Sequence, residues 1–174
     1  MAGEHDKIEA IFMKSYEENS DAIFRYCYFQ TSNREVATDI LQDTFTKTWS
    51  YLKDGKEVDN LKAFLYKVAK NLIIDYRRKK KNYSLDAITE TGVDFRNDTD
   101  TNEEAENEFD TRFMIEKLEE LEEEDREILT MRYINEMSIR EIADMTDLTA
   151  NNISVKIHRA TEKMRKILNK YYEE

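Results

Sequence analysis

Apolar residues recur at three- and four-residue spacing along most of this chain, a period that predicts helices. Ile8, Ile11, Phe12 and Tyr16 mark a first helix, and Ile23, Phe24, Cys27 and Tyr28 a second. Ser32-Asn33-Arg34-Glu35 has the form of a capping box, in which a serine and a glutamate three residues on satisfy the free N–H groups of a helix start. It opens a helix with Val36, Ile40, Leu41, Phe45, Trp49 and Leu52 on its inner stripe. The pattern breaks at Gly55. Asp59 or Asn60 can then cap a helix that buries Leu61, Phe64, Leu65, Val68, Leu72 and Ile73. Further on, Phe109, Phe113, Leu118 and Leu121 predict another helix. Ile128, Leu129, Met131 and Ile134 predict the next, with the acids from Glu122 to Asp125 at its favourable N-terminus. Ser138 and Glu141 form a second capping box before a short helix through about Met145. Thr149 caps a long helix with Ile153, Ile157, Ala160, Met164 and Leu168 on one face.

The two helical blocks are separated by Tyr83 to Asn107, poor in large apolar residues and rich in Asp, Glu, Thr and Asn. Such a stretch buries too little surface to offset its ordering entropy, so a flexible acidic linker is expected. The predicted architecture is therefore all-α: a helical bundle over 1–81, a linker over 82–108 and a second helical domain over 109–174. Composition agrees, since 3 Gly and no Pro among 174 residues leave few turn-formers for an all-β fold. One cysteine, Cys27, allows neither an internal disulfide framework nor a cysteine-based zinc site, and it suits a reducing compartment. No run of 18 apolar residues occurs, and the polar start from Met1 to Lys7 lacks the apolar stretch of a signal peptide. A cytoplasmic protein, not itself embedded in a membrane, is expected.

Charge is segregated along the chain. The net charge is −11, yet residues 1–81 carry 15 basic and 13 acidic side chains, residues 82–125 carry 3 and 17, and residues 126–174 carry 9 and 8. An acidic protein is ordinarily a poor partner for nucleic acid, but here the flanking blocks must be judged by themselves. Ser138 to Lys156 has the layout of a helix-turn-helix. Ile139, Ile142 and Ala143 face inward, Thr146-Asp147-Leu148 turns, and Asp147 stands where a left-handed residue is wanted. The outer face of the second helix carries Asn151, Asn152, Ser154, Lys156 and Arg159, types that read groove edges and phosphates. A plain helical hairpin with a polar outer face is the alternative. Arg77-Arg78-Lys79-Lys80-Lys81 is either a phosphate-binding patch or a solvated helix C-terminus meeting its dipole. Lys62, Lys67 and Lys70, with Phe64, Tyr66 and Tyr76, precede it, and rings beside cations can hold unstacked bases. His5 and His158 are the only histidines, and no nucleotide loop or metal-ligand spacing is present. No catalytic residues, metal, cofactor or small-molecule substrate are therefore expected.

Three segments together resemble one family. Asp39-Ile40-Leu41-Gln42-Asp43-Thr44-Phe45-Thr46-Lys47-Thr48-Trp49 resembles the D-x-x-Q-[DE]-x-F-x-x-x-W segment of bacterial RNA polymerase sigma factors. Ala63 to Asn71, continuing to Asp75-Tyr76-Arg77-Arg78, resembles their W-L-x-x-I-A-x-N-x-x-x-D-x-x-R promoter-melting helix. Glu141-Ile142-Ala143 through Lys156-Ile157-His158-Arg159-Ala160 resembles the E-I-A…R-x-x-R-A segment of their C-terminal domain. Length and the two-domain layout look like the extracytoplasmic-function (ECF) subgroup. The resemblance implies a non-catalytic specificity subunit that directs polymerase to promoters by −35 recognition and −10 melting. It implies docking on the coiled coil of the largest β-type subunit of the polymerase core, with Asp39, Gln42, Asp43, Phe45 and Trp49 in the matching segment. Phe45 and Trp49 lie on the buried stripe and suit structural support, whereas Asp39, Gln42 and Asp43 suit direct contact. For the −10 element it implies Lys56, Asn60, Lys62, Lys70, Asn71, Arg77 and Arg78. For the −35 element it implies Thr149, Asn151, Asn152, Ser154, Val155, Lys156 and Arg159. An anti-sigma factor is an expected further partner, and the acidic linker would run through the polymerase cleft.

The chain departs from the family at Leu121-Glu122, where Leu-Pro is usual, and at Thr146-Asp147, where a large apolar residue and Gly are usual. Val155 replaces a polar position and could touch a thymine methyl. Two other functions compete: a stand-alone helix-turn-helix regulator, and a helical protein that mimics a sigma factor to sequester its inhibitor.

Overall fold

The computed structural model describes the backbone of residues 2–86 and 102–173. Every element over those residues is helical, and they fall in two compact units divided after Thr91. The first unit holds α1 (Ala2–Thr31), α2 (Arg34–Lys53) and α3 (Leu61–Asp86). The second holds α4 (Asn102–Glu119), α5 (Glu123–Leu129), a π-helical turn (Thr130–Ile134), α6 (Ile139–Thr146) and α7 (Ala150–Glu173). Helical backbone thus reaches into both ends of the segment expected to be a linker, and its middle lies outside the described residues.

The two helices expected before Ser32 are one. Glu17-Glu18-Asn19-Ser20-Asp21 reads as a polar gap, but Ser15 and Asn19 are buried, and the Asn19 amide donates to the Ser15 carbonyl at 2.8 Å. With that donor satisfied, Ser15, Asn19, Ile23, Tyr26 and Gln30 continue a single buried stripe at three- and four-residue steps. Ile11, counted as apolar stripe from sequence, is 55% exposed.

The capping residue of α2 is also displaced from its expected place. Asn33, not Ser32, has the extended cap conformation, and its side chain accepts from the Val36 N–H at 2.9 Å. Ser32 takes the left-handed φ of 54° that turns the chain out of α1. α2 then buries Ala37, Ile40, Thr44, Phe45 and Thr48, while Val36, Leu41, Trp49 and Leu52 are half-buried. Thr44 and Thr48 enter the interior because their hydroxyls donate to the Ile40 and Thr44 carbonyls at 2.7 and 2.8 Å. Asn60 caps α3 as expected, accepting from the Ala63 N–H at 3.0 Å. The buried side of α3 is Ala63, Leu65, Tyr66, Ala69 and Ile73, and the Tyr66 ring meets Tyr26 of α1 edge-on at 5.2 Å.

In the second unit the interior gathers Ile115, Leu118, Leu121, Ile128, Leu129, Met131, Met137, Ile142, Met145, Ile153 and Ala160. Ser138 and Glu141 form the full reciprocal capping box at the start of α6. Asp147 closes α6 at φ 56°, the left-handed conformation its position required. Thr149 then accepts from the Asn152 N–H at 3.2 Å and starts α7. Ile139 and Ala143 are half-buried, so Ile142 and Met145 carry the contact expected of all three inward residues of α6.

Candidate nucleic-acid and partner interfaces

Gln42 and Asp43 lie three and four residues after Asp39, and all three are on the exposed face of α2. Beside them α1 and α2 leave an open apolar groove of about 630 Å³, walled by Phe12, Met13, Tyr16, Phe45 and Trp49 with Gln42 at its edge. Phe45 is 4% exposed and meets the Tyr16 ring at 4.8 Å, while Trp49 meets Phe12 at 5.0 Å. The two rings of the sequence motif therefore build the groove wall, and the three polar residues stand at the surface. Met13 and Tyr16 are 49% and 44% exposed. They belong to the same surface and carry no motif signal, because an exposed apolar residue on an amphipathic helix looks like core in sequence.

The seven residues expected at a −10 element divide into two groups. Lys56 is exposed on the loop after α2, its ammonium 4.8 Å from the Tyr51 ring centroid and 3.6 Å from the Asp54 carboxylate. Tyr51 in turn meets Phe64 at 4.7 Å, so a cation and two half-buried rings border this loop. Gly55 makes the turn at φ 76°. Tyr51 was missed because it precedes the loop on α2. On α3, Lys67, Asn71, Ile74, Arg78 and Lys81 form an exposed stripe, and Lys62 and Lys70 are half-buried beside it. Arg78 stands 3.9 Å from Asp75. Arg77 and Asn60 are different. Asn60 spends its side-chain oxygen on the α3 cap, and Arg77 donates from Nη2 to the main-chain oxygen and to Oε1 of Gln30, both at 2.9 Å.

On α7, Asn151, Asn152, Ser154, Val155 and Arg159 are exposed around the first turns, opposite the buried Ile153 and Ala160. Val155 is 41% exposed. Thr149 is engaged as the cap, and the Ser154 hydroxyl donates to the Ala150 carbonyl at 3.0 Å. Lys156 leans toward α5, where its ammonium donates to Glu124 at 2.6 Å. Lys163, two turns further on, pairs with Glu122 at 3.2 Å and with Asp125, and both carboxylates hold its pKa above the usual lysine value. Glu122, at the position where proline is usual, is thus an ion-pair partner of α7. Among the described residues no group of His, Cys, Asp and Glu is placed to hold a metal ion. No helix among them is long and apolar enough to cross a membrane.

Comparison with known proteins joins these surfaces. Residues 15–83 match the family described as Sigma-70 region 2, and residues 114–164 match Sigma-70, region 4. The RNA polymerase sigma factor YlaC of Bacillus subtilis is 25% identical over 170 residues, 97% of this chain and 96% of its own. The ECF RNA polymerase sigma factor SigW of the same organism is 29% identical over 162 residues, 85% of this chain and 83% of its own. The fold is also that of the sigma factor RpoE solved with the anti-sigma factor NepR from Bartonella quintana, with TM-score 0.69, 20% identity, and 91% and 96% of the two chains covered. The two matched regions, within relatives that cover most of the chain, place the α1–α2–α3 bundle and the α6–α7 helix-turn-helix in one kind of molecule. The chain belongs to the ECF sigma factors, RNA polymerase specificity subunits that associate with the polymerase core and promoter DNA to direct promoter-specific initiation of transcription.

Proposed function

We propose that the first unit docks on the coiled coil of the largest β-type polymerase subunit through Asp39, Gln42 and Asp43 and the groove between α1 and α2. Phe45 and Trp49 shape that groove, with Gln42 at its edge and Asp39 and Asp43 exposed on the same helix. Lys56 on the loop and Lys62, Lys70, Asn71 and Arg78 on α3 hold the backbone and unstacked bases of the −10 strand. The Tyr51 and Phe64 rings border the same loop, and base–aromatic stacking supplies about 1–3 kcal/mol per base. In the second unit α7 enters the major groove of the −35 element. Asn151, Asn152, Val155 and Arg159 face the bases and phosphates, and Lys156 reaches phosphate on leaving Glu124. Asn60 and Thr149 act one step removed, by capping the helices that present these groups.

The protein works in the cytoplasm and performs no catalysis of its own. It is held inactive by an anti-sigma factor, a reading supported by the inhibitor complex of the RpoE relative. The observation that carries the −35 assignment is the exposed Asn151–Asn152–Val155–Arg159 face of α7, a helix that starts at the Thr149 cap directly after the left-handed turn at Asp147. Run-off transcription on a genomic-fragment library tests the whole reading, comparing bacterial core polymerase alone with core plus this protein. Discrete new start sites sharing an upstream −35/−10 pair are expected. Binding to core without new transcripts would point to a sigma mimic, and gel-shift binding without core to a stand-alone regulator.

A further inference from the structure

The arginine of the melting-helix motif D-x-x-R falls on Arg78, three residues after Asp75, and Arg77 stands at an open position of that motif. The structure puts the two side chains on different sides of α3. Arg78 continues the exposed stripe of Lys67, Asn71 and Ile74. Arg77 lies one turn past Ile73 and two past Ala69, both buried, on the side that packs in the bundle. Its guanidinium is half-buried and reaches the last turn of α1, where one nitrogen donates to both oxygens of Gln30. Gln30 is 2% exposed.

That end of α1 has a specific need. The last turn of α1 contains no basic residue. The chain leaves the helix at Ser32 with φ 54°, so the Gln30 carbonyl lies in the last turn, where the negative end of the helix dipole sits. A cation at a helix C-terminus is favourable, and a charge-assisted hydrogen bond to a carbonyl of its last turn strengthens that interaction. Arg77 supplies both from 47 residues away. Two residues beyond Ser32, α2 begins, carrying the proposed polymerase-docking side chains.

We infer that Arg77 is a positioning residue: it clasps the α1–α2 corner to α3, so that docking through α2 presents the melting helix in a fixed register to the −10 strand. It does not contact phosphate. The inference rests on the proposed docking and melting roles. Its test separates the two, because those roles are judged on the wild-type protein and this one on its variants.

Promoter opening is followed with a fluorescent base in the −10 duplex, at saturating holoenzyme, over a range of salt and well below the melting temperature of each variant. Affinity for core is measured alongside. Arg77→Lys keeps the charge but is one bond shorter than the clasp requires, and Gln30→Ala removes the acceptor side chain while leaving every basic residue in place. Both should slow opening about tenfold, the scale of one charge-assisted hydrogen bond, with core affinity and the salt slope unchanged. The double variant should be no slower than either alone. Gln30→Glu, which retains the acceptor, should open near the wild-type rate. Arg78→Ala should instead reduce the salt slope by about one phosphate contact, roughly 0.7 on a single strand. A wild-type rate for Arg77→Lys together with a reduced slope for Arg77→Ala would make Arg77 a phosphate ligand and overturn the inference. Equal losses of core affinity and opening would reduce it to a stabilising contact and overturn it equally.

Discussion

Cys27 is fully buried between helices, and burial pushes its thiol up to about 12 from an ordinary value of 9.0. The folded state therefore keeps the proton while the unfolded chain releases it. Stability tied to this neutral thiol is complete below pH 9.0 and is lost as pH rises toward 12. Other groups also titrate in that range, so a difference is informative. The urea midpoint of the wild type should fall more steeply above pH 9.0 than that of Cys27→Ala. An equal fall in both would show the thiol ionising as freely in the fold as outside it. Native Cys27 should also resist alkylation at pH 8 until the protein is unfolded. At this scale the sequence was most informative where a residue type has one plausible use. Asp147 in the left-handed turn is such a case, whereas at the start of α3 Asp59 and Asn60 read alike as caps and Asn60 also read as a −10 contact. It was least informative for long cations: Arg77, Arg78 and Lys156 read alike, and only the structure separates a clasp, an exposed arginine and an ion-paired lysine.

Helices were legible from periodicity, and their ends from capping chemistry, with instructive misses. Ser138 and Glu141 announced α6 correctly, whereas the same pattern at Ser32 and Glu35 pointed one residue too early. Both Ser32 and Asn33 are good caps in isolation, and the left-handed bend at Ser32 hands the role to Asn33. Thr44 and Thr48 were invisible as core because their polarity is cancelled by bonds within their own helix. α6 is the element on which a single change should tell most. It has only eight residues, begins in a reciprocal box and ends at φ 56°. Ser138→Ala should cost about 1 kcal/mol of second-unit stability by leaving a helix-start N–H unpaired. Asp147→Val should cost about 1–2 kcal/mol, since a β-branched residue resists the left-handed region. Chemical denaturation followed by circular dichroism measures both, and Asp147→Gly should fold as well as the wild type.

For the whole molecule, the acidic middle segment decides what the free protein can bind. Residues 82–125 carry 17 acids, and the stretches 1–81 and 126–174 on either side are nearly neutral. Phosphate is repelled at distances comparable to the Debye length, so the free protein should shift promoter DNA weakly at physiological salt. Replacing the acids between Asp86 and Glu108 by their amides should raise its non-specific DNA affinity and steepen the salt dependence, both readable by fluorescence anisotropy. Unchanged affinity would show that the segment leaves the basic faces unscreened. The groove between α1 and α2 has a separate consequence. Its wall holds Trp49, the single tryptophan of the chain, packed against Phe12. The proposed docking surface is therefore lined by the protein's own optical reporter. With core polymerase whose tryptophans are replaced by a spectrally shifted analogue, a helix entering the groove should drive water from the indole and move its emission to shorter wavelength. One native residue would then time the assembly of polymerase with its specificity subunit, with no dye attached.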